Sequence, residues 1–480
     1  MNDRKGFGSN FGFLMAAVGS AVGLGNIWGF PNKMGANGGF PFLILYLALA
    51  LCCGVIIMLG ELALGRKTGH GAVGAYQSIS KRFKWLGWLG IAAAALIFSF
   101  YSALGGYCLR YVVVNFGNLI GAEFGTNGVG GTDVFQGLLS QPDVSIAFAL
   151  AFMLITMLVV MGGVGGGIER VCSVGMPALF FILIICIIRS CTLPGAADGL
   201  KYMFVPGWAV ANGIIDEAPG FWRVLTAAGG QMFFSLSLGA GVMITYGSYL
   251  DKKQDLGKST MIIVGMDTVV ALMAGLCVIP GRFALDPNGA LGGPELLFIT
   301  MQNVFDKMGP AGPVFGILFY LLVFFAAISS SISLLEVIVA HFCDKAREKG
   351  KGDRRKLYSA IAVVICAALC ALVCADGMGS NHISPAELLG LAGAKLPGWS
   401  TSWLGLFDSV AEGLLMPLGA LLMCLMISWE LKPDALRQEI LLNGENRPWV
   451  YDFFRLCVKY ITPLCMLMIL YGQISDFFIA

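Results

Sequence analysis

Long apolar runs without charge constrain this chain more than any other feature of its sequence. Residues 42–60 and 357–375 each extend for about 19 residues without Asp, Glu, Lys or Arg. A helix of that length spans the hydrocarbon core of a bilayer. Only 12% of the 480 residues are charged, which is about half the share typical of soluble domains. The sequence therefore predicts an integral membrane protein.

The hydropathy pattern also predicts how many times the chain crosses the membrane and in which direction. We expect eleven spans, at about 10–34, 40–65, 86–119, 145–163, 171–191, 222–250, 258–283, 312–343, 357–375, 404–430 and 451–475. With the N-terminus inside, 23 Lys and Arg residues lie on the inner side and 8 on the outer side. Excess positive charge marks the cytoplasmic side. We therefore predict a multi-pass protein of the plasma (inner) membrane, with its N-terminus in the cytoplasm and its C-terminus outside.

Several other classes of protein find no support in the composition. The net charge of +2 gives no reason to expect a nucleic-acid partner. The 14 cysteines include no CxxC pair, and His70, His341 and His382 are too scattered for a metal cluster. Since no nucleophile–base motif lies within a span either, the chain is not expected to be an enzyme.

Two spans are interrupted by glycine-rich sequence near their middles, at 17–31 and 229–246. They open two consecutive sets of five spans, and an odd number of spans per set requires the second set to be inverted. Inverted repeats with broken helices at matching positions point to a transport site at the bilayer midplane. We predict an all-α membrane protein with a single domain over 1–480, made of a first repeat (about 10–191), a second repeat (about 222–430) and an additional helix (about 451–475).

A break inside a span has a physical use. Unpaired backbone groups are costly in hydrocarbon, so irregular backbone persists only where it lines a cavity or finds a partner. Exposed carbonyl oxygens suit a hard cation, and the N-termini of half-helices suit a carboxylate. A sodium ion and an amino acid would satisfy both kinds of group. The alternative is a glycine stripe that serves helix packing alone.

Seven motifs carry a resemblance to a known family. They are AVGLGN (21–26), GELALGR (60–66), SFYS (99–102), GGIER (166–170), TLPGAADGLKY (192–202), GQMFFSLSLGAG (230–241) and ITYGSY (244–249). With these motifs the chain resembles the bacterial branch of the neurotransmitter:sodium symporter family, which has the leucine-transporter fold. The resemblance implies Na⁺-coupled amino-acid symport by alternating access, with two Na⁺ ions.

The same resemblance implies two sodium sites. The first would be formed by Ala21, Asn26, Ser235 and Asp267, together with the substrate carboxylate. The second would be formed by Gly19, Val22, Ala326, Ser329 and Ser330. Many relatives have a neutral Asn where this chain has Asp267, and they obtain the missing negative charge from chloride or from an acid one helical turn on, where this chain has Ala271. We therefore expect Asp267 to supply the charge and no chloride to be required.

A substrate site is implied between the two broken helices and two further spans. Its residues would be Ser20, Ala21, Gly23, Leu24, Gly25, Ile97, Tyr101, Phe234, Ser235, Ser237, Ala240, Ser330 and Leu334. Monoamine carriers have an acid at the position of Gly23, so glycine there favours an intact amino acid. Leu24 favours an α-amino acid. Ala240 replaces a large aromatic residue, which predicts a roomier pocket that would suit bulky or hydrophobic substrates.

The resemblance also assigns gates at the two ends of the pathway. At the outer end the usual Arg–Asp pair is missing, since Gly29 and Ala411 hold those positions and Asp408 is the acid that remains nearby. Closure there is expected to rely on Tyr101 and Phe234. An inner gate is implied for Arg4, Tyr249 and Asp344, with Phe7 in place of the usual Trp.

Two further acids and several alternatives stay open at this point. Glu61 resembles the family glutamate that holds backbone amides of the unwound helices. Glu336 either packs between helices or takes part in proton counter-transport. The substrate could instead be a non-α amino acid or a related zwitterion such as taurine. A channel or substrate sensor on the same scaffold is also possible, and the sequence leaves the particular amino acid and the oligomeric state undetermined.

Overall fold

A computed structural model describes residues 6–126, 128–288, 295–352, 354–390, 398–441 and 448–478. Every regular element in these ranges is a helix. Nine of the described helices are long and apolar enough to cross a membrane, and a bent pair of helices makes a tenth crossing. These observations confirm the all-α membrane fold. The remaining predicted span, at 222–250, consists of two shorter helices separated by residues 237–241.

The membrane helices follow the predicted spans closely. In chain order they are α1 (Asn10–Ala21), α2 (Gly25–Ala36), α3 (Phe40–Thr68), α4 (Lys81–Ile120), α5 (Pro142–Met161), α6 (Val164–Cys191), α7 (Phe221–Leu236), α8 (Val242–Gly247), α9 (Leu256–Leu285), α10 (Gly309–Glu348), α11 (Arg355–Gly379), α12 (Trp403–Leu431) and α13 (Pro448–Ser475). Shorter helices lie between them, at Ala72–Ile79, Gly131–Leu139, Ala196–Phe204, Trp208–Ala211, Leu296–Thr300, Met301–Asp306, Pro385–Leu388, Gly398–Thr401, Pro433–Leu436 and Arg437–Leu441.

Short polar residues begin several of these helices. Ser9 precedes α1 and its side chain accepts a hydrogen bond from the Gly12 amide at 2.9 Å. Asp255 does the same for α9, with the Lys258 amide at 2.9 Å. Such side chains satisfy amides that have no partner in the first helical turn. These helix starts are therefore set by local sequence.

The first predicted break separates α1 from α2. Helix α1 ends at Ala21, Val22 is extended with φ −73° and ψ 96°, and the two helices are bent by 44°. The second break separates α7 from α8 and contains three residues in the left-handed region, Ser237 (φ 53°), Gly239 (φ 80°) and Gly241 (φ 74°). Glycine tolerates this conformation at little cost, so the sequence GAG lets the chain turn here and resume as a helix.

The core surrounds these two breaks. Helices α4 and α10 pack together along much of their length, and α1 packs against α6, α9 and α10. Helix α12 contains a wide π-helical turn at Ser409–Leu415. Such turns shift the register of the residues that follow and are frequent at functional sites.

Candidate substrate and ion sites

Hydrogen bonds join the two broken helices directly. The Ser237 hydroxyl donates to the Ser20 carbonyl oxygen at 2.9 Å. The Gln231 side chain donates to the Gly25 carbonyl oxygen at 2.6 Å. Since both breaks release backbone groups from helical pairing, this contact gathers carbonyl oxygens and amides in one buried place.

A carboxylate lies on one side of the breaks, among the residues predicted for the first sodium site. The Asn26 amide nitrogen donates to Asp267 Oδ1 at 2.8 Å, and the Ser235 hydroxyl donates to Oδ2 at 2.9 Å. The Tyr46 hydroxyl, which the sequence analysis did not assign, lies 3.3 Å from the same oxygen. Asp267 is completely buried. Among the described residues no Lys or Arg forms an ion pair with it.

A second group of oxygen atoms contains the five residues predicted for the second sodium site. The Ser329 hydroxyl lies 3.0 Å from the Ala326 carbonyl oxygen and 3.5 Å from that of Val22. The Ser330 hydroxyl lies 3.4 Å from the Gly19 carbonyl oxygen. Hard cations prefer such all-oxygen surroundings. The group therefore has the chemistry that a sodium ion needs.

A small cavity lies between the two groups. Its free space of about 20 Å³ has room for one water molecule. The lining residues are Ala21, Gly23, Gly25, Ile97, Tyr101, Phe234, Ser237, Ala240, Ser330, Leu334 and Met416. All of these except Met416 were predicted for the substrate site. Three other predicted residues, Ser20, Leu24 and Ser235, are not part of this lining. They form hydrogen bonds through the Ser20 carbonyl oxygen, the Leu24 amide and the Ser235 hydroxyl.

The polar end of the cavity is formed by Gly23, Tyr101 and Ser330. The Tyr101 hydroxyl accepts a hydrogen bond from the Leu24 amide at 2.5 Å. A Cβ atom on Gly23 would lie 2.2 Å from the Ser330 hydroxyl oxygen and 2.3 Å from that of Tyr101. Only glycine fits this position, so the backbone of the break stays open to whatever occupies the cavity.

Glu61 supports the second break from outside the cavity. Its carboxylate accepts a hydrogen bond from the Gly239 amide at 2.7 Å, and the side chain is buried. An amide in a break has no helical partner and is costly to bury unpaired. The position of Glu61 therefore matches the supporting role expected for it.

At the inner end, Tyr249 belongs to a buried ionic network. Its hydroxyl donates to Glu336 Oε1 at 2.5 Å, and the Arg355 guanidinium binds both oxygens of Glu336, at 2.5 and 3.0 Å. Glu336 is completely buried. The resemblance places Tyr249 at the Arg4–Asp344 gate, and Arg355 was not among the predicted residues. The structure thus identifies a partner for Glu336, the acid whose role the sequence left open.

Of the other two residues predicted for the inner gate, the structure describes only Asp344. Asp344 accepts a hydrogen bond from the Gly71 amide at 3.1 Å, and Arg4 lies outside the described residues. Phe7 contacts the rings of Phe13 and Tyr246, with centroids 5.4 and 5.6 Å apart. Phe7 therefore packs its ring against aromatic residues of α1 and α8.

The end predicted to be the outer one carries an ion pair that was not predicted from the sequence. The resemblance places the missing gate pair at Gly29 and Ala411, and in the structure Lys33 forms an ion pair with Glu412 nearby. Lys33 lies one helical turn beyond Gly29, and Glu412 directly follows Ala411. The rings of Tyr101 and Phe234, predicted to close this end, lie 6.2 Å apart. In the sequence this pair is indicated only by a lysine near the end of the first broken helix, because its partner lies 379 residues further along the chain.

Comparison with known proteins identifies the family. The model of the sodium:neurotransmitter symporter family matches residues 4–128 and 132–478. The chain belongs to this family. It is thus a sodium-dependent, multi-pass membrane transporter and not an enzyme.

Individual relatives agree with this assignment. The chain is 36% identical over 477 residues to the uncharacterized sodium-dependent transporter YhdH of Bacillus subtilis, covering 97% of each chain. It is 26% identical to sodium-dependent nutrient amino acid transporter 1 of Drosophila persimilis, over 72% of this chain and 60% of that protein. The crystal structure of MhsT in complex with L-phenylalanine superposes with a TM-score of 0.83 and 34% identity, covering 98% of this chain and all of MhsT.

Proposed function

We propose that this transporter carries one α-amino acid, including bulky hydrophobic ones, together with two Na⁺ ions by alternating access and without chloride. The observation that carries the proposal is the burial of Asp267. A buried carboxylate needs a cation because desolvation is costly. The side chains around it offer oxygen atoms but, among the described residues, no positive charge. A sodium ion fits that requirement.

The chloride part of the proposal follows from the charge count at this site. Asp267 already contributes one negative charge, and the substrate carboxylate would add a second. Ala271, one turn further along α9, is completely buried and has no group that could bind an ion. Na⁺ in the first site would therefore be neutralised by the protein and the substrate themselves.

An intact α-amino acid fits the polar end of the cavity. The Gly23 and Gly25 backbone and the Tyr101 hydroxyl can bind its carboxylate. None of the described residues that line the cavity is acidic, so the site lacks the acidic side chain that an amine without its own carboxylate would need. The apolar residues Ile97, Ala240 and Leu334 also line the cavity. The complex of MhsT with L-phenylalanine supports a large apolar side chain in this class of protein.

Alternating access requires both ends of the pathway to open and close. The inner Glu336–Arg355 pair and the outer Lys33–Glu412 pair lie on either side of the cavity. Each pair joins different helices, so opening either end requires separation of two charges. We assign the inner pair to the cytoplasmic side, with the N-terminus inside, on the basis of the excess of positive charge there.

Binding and transport tests distinguish this function from its alternatives. A thermal-shift screen of amino acids with and without Na⁺ should stabilise the protein only when both ligands bind. Taurine and γ-amino acids serve as comparison ligands. Reconstituted protein should then exchange labelled substrate in counterflow, which a channel or a sensor cannot do. Uptake that stopped when gluconate replaced chloride at constant Na⁺ would contradict the chloride part of the proposal.

A further inference from the structure

The residue that lines the cavity without having been predicted is Met416. It is 1% exposed and lies in α12, directly after the wide turn at Ser409–Leu415. Glu412 of the outer ion pair lies within that turn, four residues earlier. The same segment of α12 therefore contributes to the outer ion pair and to the cavity lining.

The backbone of Met416 is held tightly against the second break. A Cβ atom on Gly239 would lie 2.2 Å from the Met416 carbonyl oxygen, and one on Gly419 would lie 3.0 Å from the Gly239 carbonyl oxygen. Neither glycine can be replaced without displacing its neighbour. The position of the Met416 backbone beside the second break is therefore fixed by packing.

Met416 lines the cavity together with the apolar residues Ala240, Leu334 and Ile97. Ala240 has one methyl group where related chains are expected to have an aromatic ring, and yet the cavity has a free space of only about 20 Å³. Neighbouring side chains therefore occupy that room. Met416 is suited to this because methionine is unbranched and adapts its shape to irregular space.

We propose that Met416 sets the size of substrate side chain that this transporter accepts. The inference rests on the proposed amino-acid function and adds a specificity residue to it. Met416 and Ala240 act together: the small residue provides the space, and the flexible thioether limits how much of it a substrate side chain can use. Replacing Met416 by a smaller residue should favour larger substrates, and a rigid aromatic ring should exclude them.

The test compares binding of L-alanine, L-leucine, L-phenylalanine and L-tryptophan in NaCl to purified wild-type protein and variants. Removing or adding one methylene in such a pocket changes discrimination by about 10–200-fold. Met416→Ala should raise the affinity ratio of tryptophan to alanine at least tenfold by that measure. Met416→Phe should lower it, and the volume-conserving Met416→Leu should leave it close to wild type.

Met423 provides the matched control, because it lies two turns further along α12, is equally buried, and is absent from the cavity lining. Met423→Ala should lower the melting temperature without changing the order of preference. Unchanged affinity ratios in both Met416→Ala and Met416→Phe, with normal wild-type binding, would overturn the inference alone. Failure of the wild-type protein to bind any amino acid in a Na⁺-dependent way would overturn the proposed function and this inference with it.

Discussion

The side-chain amide of Asn26 donates to both the carboxylate and the backbone carbonyl of Asp267, at 2.8 and 3.0 Å. These two bonds join the first broken helix to α9 across 241 residues of sequence. They direct the carbonyl oxygen of the Asn26 side chain away from Asp267, where it accepts a hydrogen bond from the Gly23 amide at 3.1 Å. One residue thus links the charge of the proposed first sodium site to the backbone of the substrate site.

Replacing Asp267 with Asn should weaken Na⁺ binding strongly. The change removes the charge that we assign to the first ion, and loss of one partner of a buried pair costs about 3–5 kcal/mol. That cost corresponds to roughly a hundredfold or more in affinity. The measurement is the Na⁺ concentration that gives half-maximal thermal stabilisation in the presence of substrate.

A second substitution tests whether the loss of Na⁺ affinity is due to the missing negative charge. Asp267→Asn combined with Ala271→Glu moves the acid one turn along α9, as the family resemblance suggests, and should recover part of the Na⁺ affinity in chloride-free buffer. Equal Na⁺ affinity in wild-type and Asp267→Asn proteins would rule out the assigned role of this carboxylate.

Gly23→Ala should abolish substrate binding and leave the protein folded. The added methyl group would lie 2.2 Å from the Ser330 hydroxyl and 2.3 Å from the Tyr101 hydroxyl. Overpacking of this kind costs about 1–3 kcal/mol, and the displaced groups belong to the cavity itself. Binding of labelled substrate is the measurement. Gly137→Ala is the control, because a Cβ there meets nothing within 4 Å, and normal substrate affinity in Gly23→Ala would contradict the prediction.

Arg355→Ala should open the cytoplasmic end. It leaves the completely buried Glu336 without its guanidinium partner, at a cost of about 3–5 kcal/mol in the closed form. Water entry on opening relieves that cost, so the inward-open population should rise. Cys343 lines the same cavity as Arg355, at the end that we propose to be cytoplasmic. It offers a natural reporter, whose alkylation should become faster.

The double variant Glu336→Gln with Arg355→Ala tests the same network. Since it removes both charges, alkylation of Cys343 should return towards the wild-type rate. The same measurement in a Cys343→Ala background shows how much of the alkylation occurs at Cys343. Identical alkylation rates in the wild-type and Arg355→Ala proteins would mean that the pair does not restrain the inner end.

Separating the outer pair should impair transport, and exchanging its charges should restore it in part. In Lys33→Ala the side chain of Glu412, which is only 7% exposed, loses its partner. Uptake should fall roughly tenfold or more because a nearly buried carboxylate is left unpaired. Lys33→Glu with Glu412→Lys retains an ion pair and should recover measurable uptake of labelled substrate.

The exposed pair Lys201–Asp198 supplies the comparison for this experiment. Both of its side chains are more than half exposed, and such pairs contribute about 0–1 kcal/mol. Lys201→Ala should therefore leave uptake almost unchanged. If Lys33→Ala transported as well as Lys201→Ala, the outer pair would have no part in gating.

The sequence by itself determined the membrane class, the helices and the positions of both breaks. Apolar length and glycine clusters act locally, so residues such as Val22 and Gly239 could be assigned to irregular backbone before any packing was known. The motif around Asn26, together with Asp267, also predicted which residues would meet at the proposed first ion site. Those predictions depended on family resemblance as well as on residue chemistry.

Only the tertiary structure decided which side chains meet across distant helices. Lys33 and Glu412, Glu336 and Arg355, and Met416 at the cavity all depend on how each helix is rotated about its axis. Hydropathy indicates which face of a helix avoids lipid, but it does not say which neighbour that face contacts. In α12 the wide turn at Ser409–Leu415 shifts the helical register, so the faces of Glu412 and Met416 do not follow from regular helical periodicity.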